Sequence, residues 1–277
     1  MFNLFGAELY KWKKSKGFYS CLLAAMGVVM VIWMSFWFTE QVNTGRIENG
    51  TMGITVSGEV SDGSEGESLF DEFTIMDMVQ TFVGGGVTTI FIAIMVCIWM
   101  IGEYTGGAMK NILGKGYSRN SIFLVKYSSA VLISMLLNLA VIIAVVLMGI
   151  VIMGTGRIDG QFWKDCLVYI GIELMLGAAF GGIVAAVSEI TRNMAIGISA
   201  SIFITLFTGL LANGLDLFFR MLNIDFKVSN YWIICMIETC PVSGNNMDFV
   251  GRALYVTIMW IVLSLFIGMV HFHEADV

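Results

Sequence analysis

The chain has 277 residues, of which 57% are hydrophobic and only 13% charged, with one proline and a formal net charge of −6. Soluble domains carry roughly twice that share of charge, about 25%, and the mean hydropathy is +0.84. The composition therefore excludes a water-soluble globular protein, predicts lipid as the main solvent, and gives no reason to expect a nucleic-acid partner.

The opening arm, residues 1–17, reads as an amphipathic helix. Phe2, Phe5, Leu9 and Trp12 recur at spacings of three and four and share one face. Lys11, Lys13, Lys14 and Lys16 crowd the end nearest the first apolar run. This pattern predicts a helix lying in the membrane interface, with its lysines on anionic lipid head groups.

A spanning helix needs about 20 apolar residues, and six runs qualify: 18–39, 78–102, 127–154, 167–188, 194–219 and 253–270. The first is too long for a cleavable signal and lacks a small-residue cleavage site. The segment 40–77 carries Glu40, Glu48, Glu59, Asp62, Glu65, Glu67, Asp71, Glu72 and Asp77 against Arg46 alone. It is expected outside, as a solvated cap, with a weak strand signal at Met52, Ile54, Val56 and Val60. The second run contains Gly84-Gly85-Gly86, which should weaken or bend its helix. Segment 103–126 carries Lys110, Lys115, Arg119 and Lys126. With the basic arm, it is expected in the cytoplasm by lysine and arginine asymmetry. The third run exceeds a bilayer's thickness and should tilt or project. In the fourth run, Gly177, Gly181 and Ala185, beside Ala178, Gly182 and Ala186, form ridges of small residues that let helices approach closely.

Between the fifth and sixth runs, residues 220–252 hold apolar pieces too short to span, 231–234 and 235–237, followed by Glu238, Pro241 and Gly244. They predict an interfacial or re-entrant segment covered by protein or water. The expected fold is thus an all-α polytopic membrane protein: one domain, six transmembrane helices, both termini cytoplasmic.

Chemistry-bearing residues are few. Glu173 is the carboxylate well inside a run, a costly placement that marks a functional candidate, expected either to be kept neutral by burial or to bond Asn138 of the third run. His271 and His273 sit in the C-terminal tail, far from it. The cysteines, at 21, 97, 166, 235 and 240, lack metal-ligand spacing; Cys235 and Cys240 are expected as free thiols, with a disulfide as the alternative. A phosphate-binding loop needs Gly, four residues, then Gly-Lys-Ser/Thr. Here Gly114-Lys115 is followed by Gly116 and preceded at the required distance by Met109. No ATP hydrolysis and no cofactor are expected on this chain.

The stretch Glu103-Tyr104-Thr105-Gly106-Gly107-Ala108-Met109-Lys110-Asn111, then Gly116-Tyr117-Ser118-Arg119 and Lys126, resembles the second-helix signature of ABC-2-type ABC transporter permeases. It is most similar to the bacitracin-resistance and lantibiotic-immunity branch of Gram-positive bacteria. Glu8-Leu9-Tyr10-Lys11 with Lys13-Lys14-Ser15-Lys16 resembles that branch too; Ala108 departs from its usual threonine. The resemblance implies two six-helix permease subunits, identical or sister chains, paired with two separate ATPase subunits that carry ATP and Mg. It implies that the arm is an interfacial connecting helix. It implies a coupling helix near 105–118, with Glu103, Thr105, Gly106, Lys110, Asn111, Gly116, Ser118 and Arg119 joining the ATPase. It also implies helices two and five beside the pathway, and export of antimicrobial peptides, antibiotics or lipids across the cell membrane. Two alternatives stay open on the residues: a standalone carrier or channel using Glu173, and a membrane peptide sensor.

Overall fold

The computed structural model describes residues 2–43, 75–105, 114–153, 160–240 and 247–274. The strand signal at 52–60 and the sites Gly106, Lys110 and Asn111 fall outside those residues. Among the described residues all regular structure is helical: α1 (Phe2–Lys14), α2 (Lys16–Asn43), α3 (Ile75–Gly84), α4 (Val87–Thr105), α5 (Arg119–Met153), α6 (Gly160–Thr191), α7 (Met194–Met221), a 3₁₀ turn (Ser229–Tyr231), α8 (Ile233–Glu238) and α9 (Met247–Glu274). Six of them are long and apolar enough to cross a membrane.

Local chemistry sets the breaks. Ser15 separates α1 from α2, its Oγ accepting from Phe18 N at 3.3 Å, as a helix N-cap does. Ser118 does the same for α5 through Ser121 N at 3.3 Å, so that helix starts at Arg119, ahead of the run expected from 127. At 35 residues it is about 52 Å long at 1.5 Å per residue, longer than a hydrocarbon layer of about 30 Å. The glycine triplet divides the second run into α3 and α4. Gly86 adopts φ +80°, a conformation that other residues reach only with strain. Between α6 and α7, Arg192 turns the chain at φ 47°, and Asn193 caps α7 by accepting from Ala195 N at 3.0 Å and Ile196 N at 3.4 Å.

Helix α6 is the hub, packed on α5 and α9 above all. Its small residues explain why. A Cβ at Gly177 would lie 2.7 Å from Asn138 Nδ2 of α5, and one at Gly182 would meet both the Tyr127 hydroxyl of α5 and, at 3.0 Å, Ser264 Oγ of α9. The first ridge legible in the sequence thus faces α5, and the second sits where α5 and α9 converge. By contrast, α2 and α7 bury only a narrow stripe each: Ala25, Val29 and Trp33 on the first, Gly197, Ser201, Thr205, Gly209 and Ala212 on the second.

After α7 the chain reverses and descends along it. Asp216 Oδ1 accepts from Val228 N at 2.5 Å. Trp232 Nε1 donates to Thr208 Oγ1 at 2.8 Å, and Ile234 and Glu238 lie beside Gly209. From Met221 to Gly209 is about 18 Å along the helix. Residues 231–240 therefore sit at the depth of the helix midpoints, with Ile233 to Ile237 buried. Both Cys235 and Cys240 are buried free thiols.

Candidate functional site

One end of the bundle carries a connected set of charges. α1 contributes Glu8 and Lys11, α4 Glu103 and Tyr104, α5 Lys126, and the α6–α7 junction Glu189 and Arg192. Glu103 receives two cations: Lys11 Nζ at 2.5 Å and Lys126 Nζ at 2.7 Å. Lys11 also meets Glu8 at 2.9 Å. The Tyr104 hydroxyl donates to the Glu189 carboxylate at 2.7 Å, whose other partner is Arg192 Nη2 at 3.0 Å. Lys126 and Arg192 stand over the Tyr104 ring, 5.1 and 5.3 Å from its centroid, in cation–π range. Nearby, Arg119 Nη1 donates to the His273 carbonyl at 3.2 Å. The arm, the α4 end, the α5 start, the α6–α7 turn and the α9 end thus meet at one pole.

Burial makes these contacts matter. Lys126 and Glu189 are 3% and 1% exposed, and charges removed from water hold their place only when paired. Burial pushes the Glu8 carboxyl above its ordinary value and Glu103 pushes it further, against the pull of Lys11. Burial alone would depress Lys11, yet its hydrogen bonds to Glu103 and Glu8 outweigh that and raise it. The arm docks by a stripe next to the predicted one. Leu4 and Glu8 face the bundle, Trp12 is half-buried and stacks on Phe18 at 5.4 Å, and Leu9 is exposed. The apolar face read in the sequence is thereby partly left for lipid.

The residues assigned to coupling separate into groups. Glu103 points inward to two lysines. Arg119 ties α5 to α9, Ser118 caps α5, and Gly116 turns the chain at φ +79°. Residues 114–118 are exposed. Thr105 ends α4. The structure brings Glu103 together with Lys126, which the sequence placed in a basic segment expected in the cytoplasm, and with Lys11, Glu8, Tyr104, Glu189 and Arg192, which sequence reasoning missed as a set. The Glu-Tyr pair at the close of an apolar run was its one sequence signal.

A second polar group lies at mid-depth. Glu173 is fully buried, and among the described residues neither carboxylate oxygen has an aligned hydrogen bond. Asn138 does meet Glu173, but its Nδ2 donates to the backbone carbonyl, at 2.9 Å, rather than to the side chain. The Tyr169 hydroxyl and Cys240 thiol stand beside the carboxylate, and the Tyr169 hydroxyl and Asn138 Oδ1 are likewise without aligned partners.

Comparison with known proteins adds one match: the family model described as ABC-2 family transporter protein covers residues 4–209. No curated protein matches the chain.

Proposed function

The chain belongs to the ABC-2 family of transporter proteins, and we propose that it is the permease subunit of an ATP-driven exporter whose engine docks on the pole where Lys11, Glu103, Lys126, Tyr104, Glu189 and Arg192 meet. It is a multi-pass membrane protein, and its family implies a partner ABC ATPase. Beyond that, our reading pairs two such permeases, identical or sister chains, with two ATPase copies that bind ATP and Mg, and puts both termini and the turn at 114–118 in the cytoplasm. The favoured cargo is an antimicrobial peptide, antibiotic or lipid-like molecule, as in the bacitracin-resistance and lantibiotic-immunity branch of Gram-positive bacteria.

The observation that carries the reading is the joint itself. An exposed turn, 114–118, leaves a pole at which the arm and the ends of α4, α5, α6 and α9 are bound together. Force applied to that turn enters α5 at Ser118 and Arg119, and reaches α1 and α4 through Lys126 and Glu103. Tyr104 passes it on to Glu189 and Arg192, where α7 begins. Rigid elements joined by short charge-assisted bonds move together.

The test is a charge reversal outside the network. Lys115→Glu is expected to lose the co-purifying ATPase, or its stimulation by the permease, while membrane insertion and monodispersity stay unchanged. Arg119→Glu is expected to do the same and to loosen the α9 end as well. Normal ATPase association and normal transport in both variants would end the proposal. A second reading, a standalone carrier, draws support only from Glu173, which has no cation beside it among the described residues. It requires gradient-driven transport by the purified chain alone that Glu173→Gln abolishes.

A further inference from the structure

Glu238 lies in the last turn of α8, where a negative charge opposes the helix dipole. Three neighbours fix its depth. Its carboxylate is 3.6 Å from where a Cβ on Gly209 of α7 would sit. Trp260 Nε1, near the middle of α9, donates to the Tyr231 carbonyl at 3.0 Å. Gln80 Nε2 of α3 donates to the Cys240 carbonyl at 3.1 Å. Gly209 stands about 22 Å from one end of α7 and about 18 Å from the other, well inside a hydrocarbon layer about 30 Å thick.

At that depth Glu238 is exposed and, among the described residues, has no ion-pair or hydrogen-bond partner. The nearest bases along α7 and its continuation, Arg220 and Lys227, belong to the far end of the helix. A carboxylate facing lipid at this level costs a few kcal/mol or more, and such groups face a cavity or a partner instead. Two glycines lie against it. A Cβ at Gly84 of α3 would crowd the Ile237 carbonyl at 3.3 Å, with Glu238 Cα at 3.6 Å, whereas one at Gly209 would only touch the carboxylate, at 3.6 Å. Gly84 thus gives the backbone at residue 238 its room, and Gly209 marks where the charge meets α7. Around α7 from Gly209 the exposed surface is apolar, with Leu206, Leu210 and Phe203, the last stacked on Phe207 at 4.7 Å. Asn213, one turn above, is the exposed polar exception.

We propose that Glu238, on the α7 face beside Gly209, is the anionic contact of a binding site for a lipophilic cation. The apolar and aromatic surface of α7 takes the greasy body, and the carboxylate takes the positive group. This deepens the exporter reading, on which it rests, by assigning the cargo a class: cationic and amphipathic. Uncharged lipids and anionic antibiotics would lack the matching charge.

The probe is tetraphenylphosphonium, with isosteric tetraphenylborate as the anionic control. Both are titrated against the full chain in phosphatidylcholine nanodiscs. Wild type is expected to bind the cation saturably. Glu238→Gln should weaken that binding roughly tenfold or more, as loss of a desolvated charge partner does, and leave the anion unaffected. Gly209→Leu, which keeps the charge but fills the space before it, should weaken it as well, and Glu238→Asp should largely restore it. Absence of saturable cation binding, equal binding by cation and anion, or an unchanged affinity in Glu238→Gln would overturn the site. An unchanged affinity with altered oligomeric state would instead make Glu238 an interface residue. Co-purification of the ATPase, measured on the same samples, keeps the two proposals apart. If it fails in wild type while the cation still binds, the exporter reading falls and the site stands.

Discussion

At the pole formed by α1, α4, α5 and the α6–α7 turn, each acid has a basic or charge-neutralising partner; at mid-depth, Glu173 and Glu238 have no base beside them among the described residues. Both regions are built from the same few residue types. The paired pole holds helices to one another. Its charges are paired from within the chain. The mid-depth carboxylates face no cation among the described residues, Glu173 having only the Tyr169 hydroxyl and Cys240 thiol beside it, so their chemistry is directed at a proton, water, a ligand or another subunit. Paired charges mark the mechanical part of this molecule, and unpaired charges mark the part that receives something.

The sharpest way to break that contrast is to orphan one charge at the pole. Lys126→Met removes one of the two cations on Glu103, whose side chain is 16% exposed. Leaving a partly buried carboxylate short of one of its two cations is expected to cost about 3 kcal/mol, read from the midpoint of detergent-induced unfolding. The double variant Lys126→Met, Glu103→Gln should recover most of the loss. A silent single variant, or no recovery in the double, would mean that this pair is not a structural tie.

Tyr104→Phe is next. It deletes the hydroxyl shared by both Glu189 oxygens at 2.7 Å. A hydrogen bond to a charged acceptor contributes about 1.5–3 kcal/mol, and Arg192 still neutralises Glu189, so a loss of roughly 1.5 kcal/mol is expected. In the presence of Arg192→Ala the same substitution should cost more, because Glu189 then has no remaining partner. Additive losses would show that Tyr104 and Arg192 do not act on Glu189 together.

Ser118→Ala tests the rim of the pole. The hydroxyl caps α5, but Ser118 is exposed, and water can take over an uncapped amide there. A loss of about 1 kcal/mol or less is expected, visible as faster amide hydrogen exchange at Asn120 and Ser121 and not in the unfolding midpoint.

Much of this architecture was legible in the sequence because it is local. The six runs, the amphipathic arm, the glycine break before α4 and the two small-residue ridges of α6 follow from periodicity and residue size within one segment. The pairings were not legible. Lys126 looked like one more base on a cytoplasmic face. Only the approach of α4 and α5 turns it inward to Glu103, across 23 residues of sequence, and Tyr104 finds Glu189 across 85. Glu238 looked like the outer end of a short apolar piece. Its depth depends on the chain's descent along α7, which rests on Asp216 reaching back to Val228 and Trp232 reaching Thr208. The predicted partnership of Asn138 with Glu173 was right about proximity and differs in the atom used. The amide bonds the carbonyl of residue 173, and that leaves the carboxylate free for something else.

That last detail yields the smallest and most discriminating expectation. Glu173→Gln keeps shape and volume, leaves the 2.9 Å bond from Asn138 to the backbone intact, and strands no cation, since none among the described residues pairs with it. The unfolding midpoint should therefore move by less than about 1 kcal/mol, against roughly three for Lys126→Met at comparable burial. If Glu173→Gln is as damaging as Lys126→Met, then the carboxylate has a hidden structural partner, and the division between a paired, mechanical pole and an unpaired, receptive middle is wrong. If it is silent in unfolding yet abolishes turnover, the middle of the bundle is where the transported species, or the proton that accompanies it, is held.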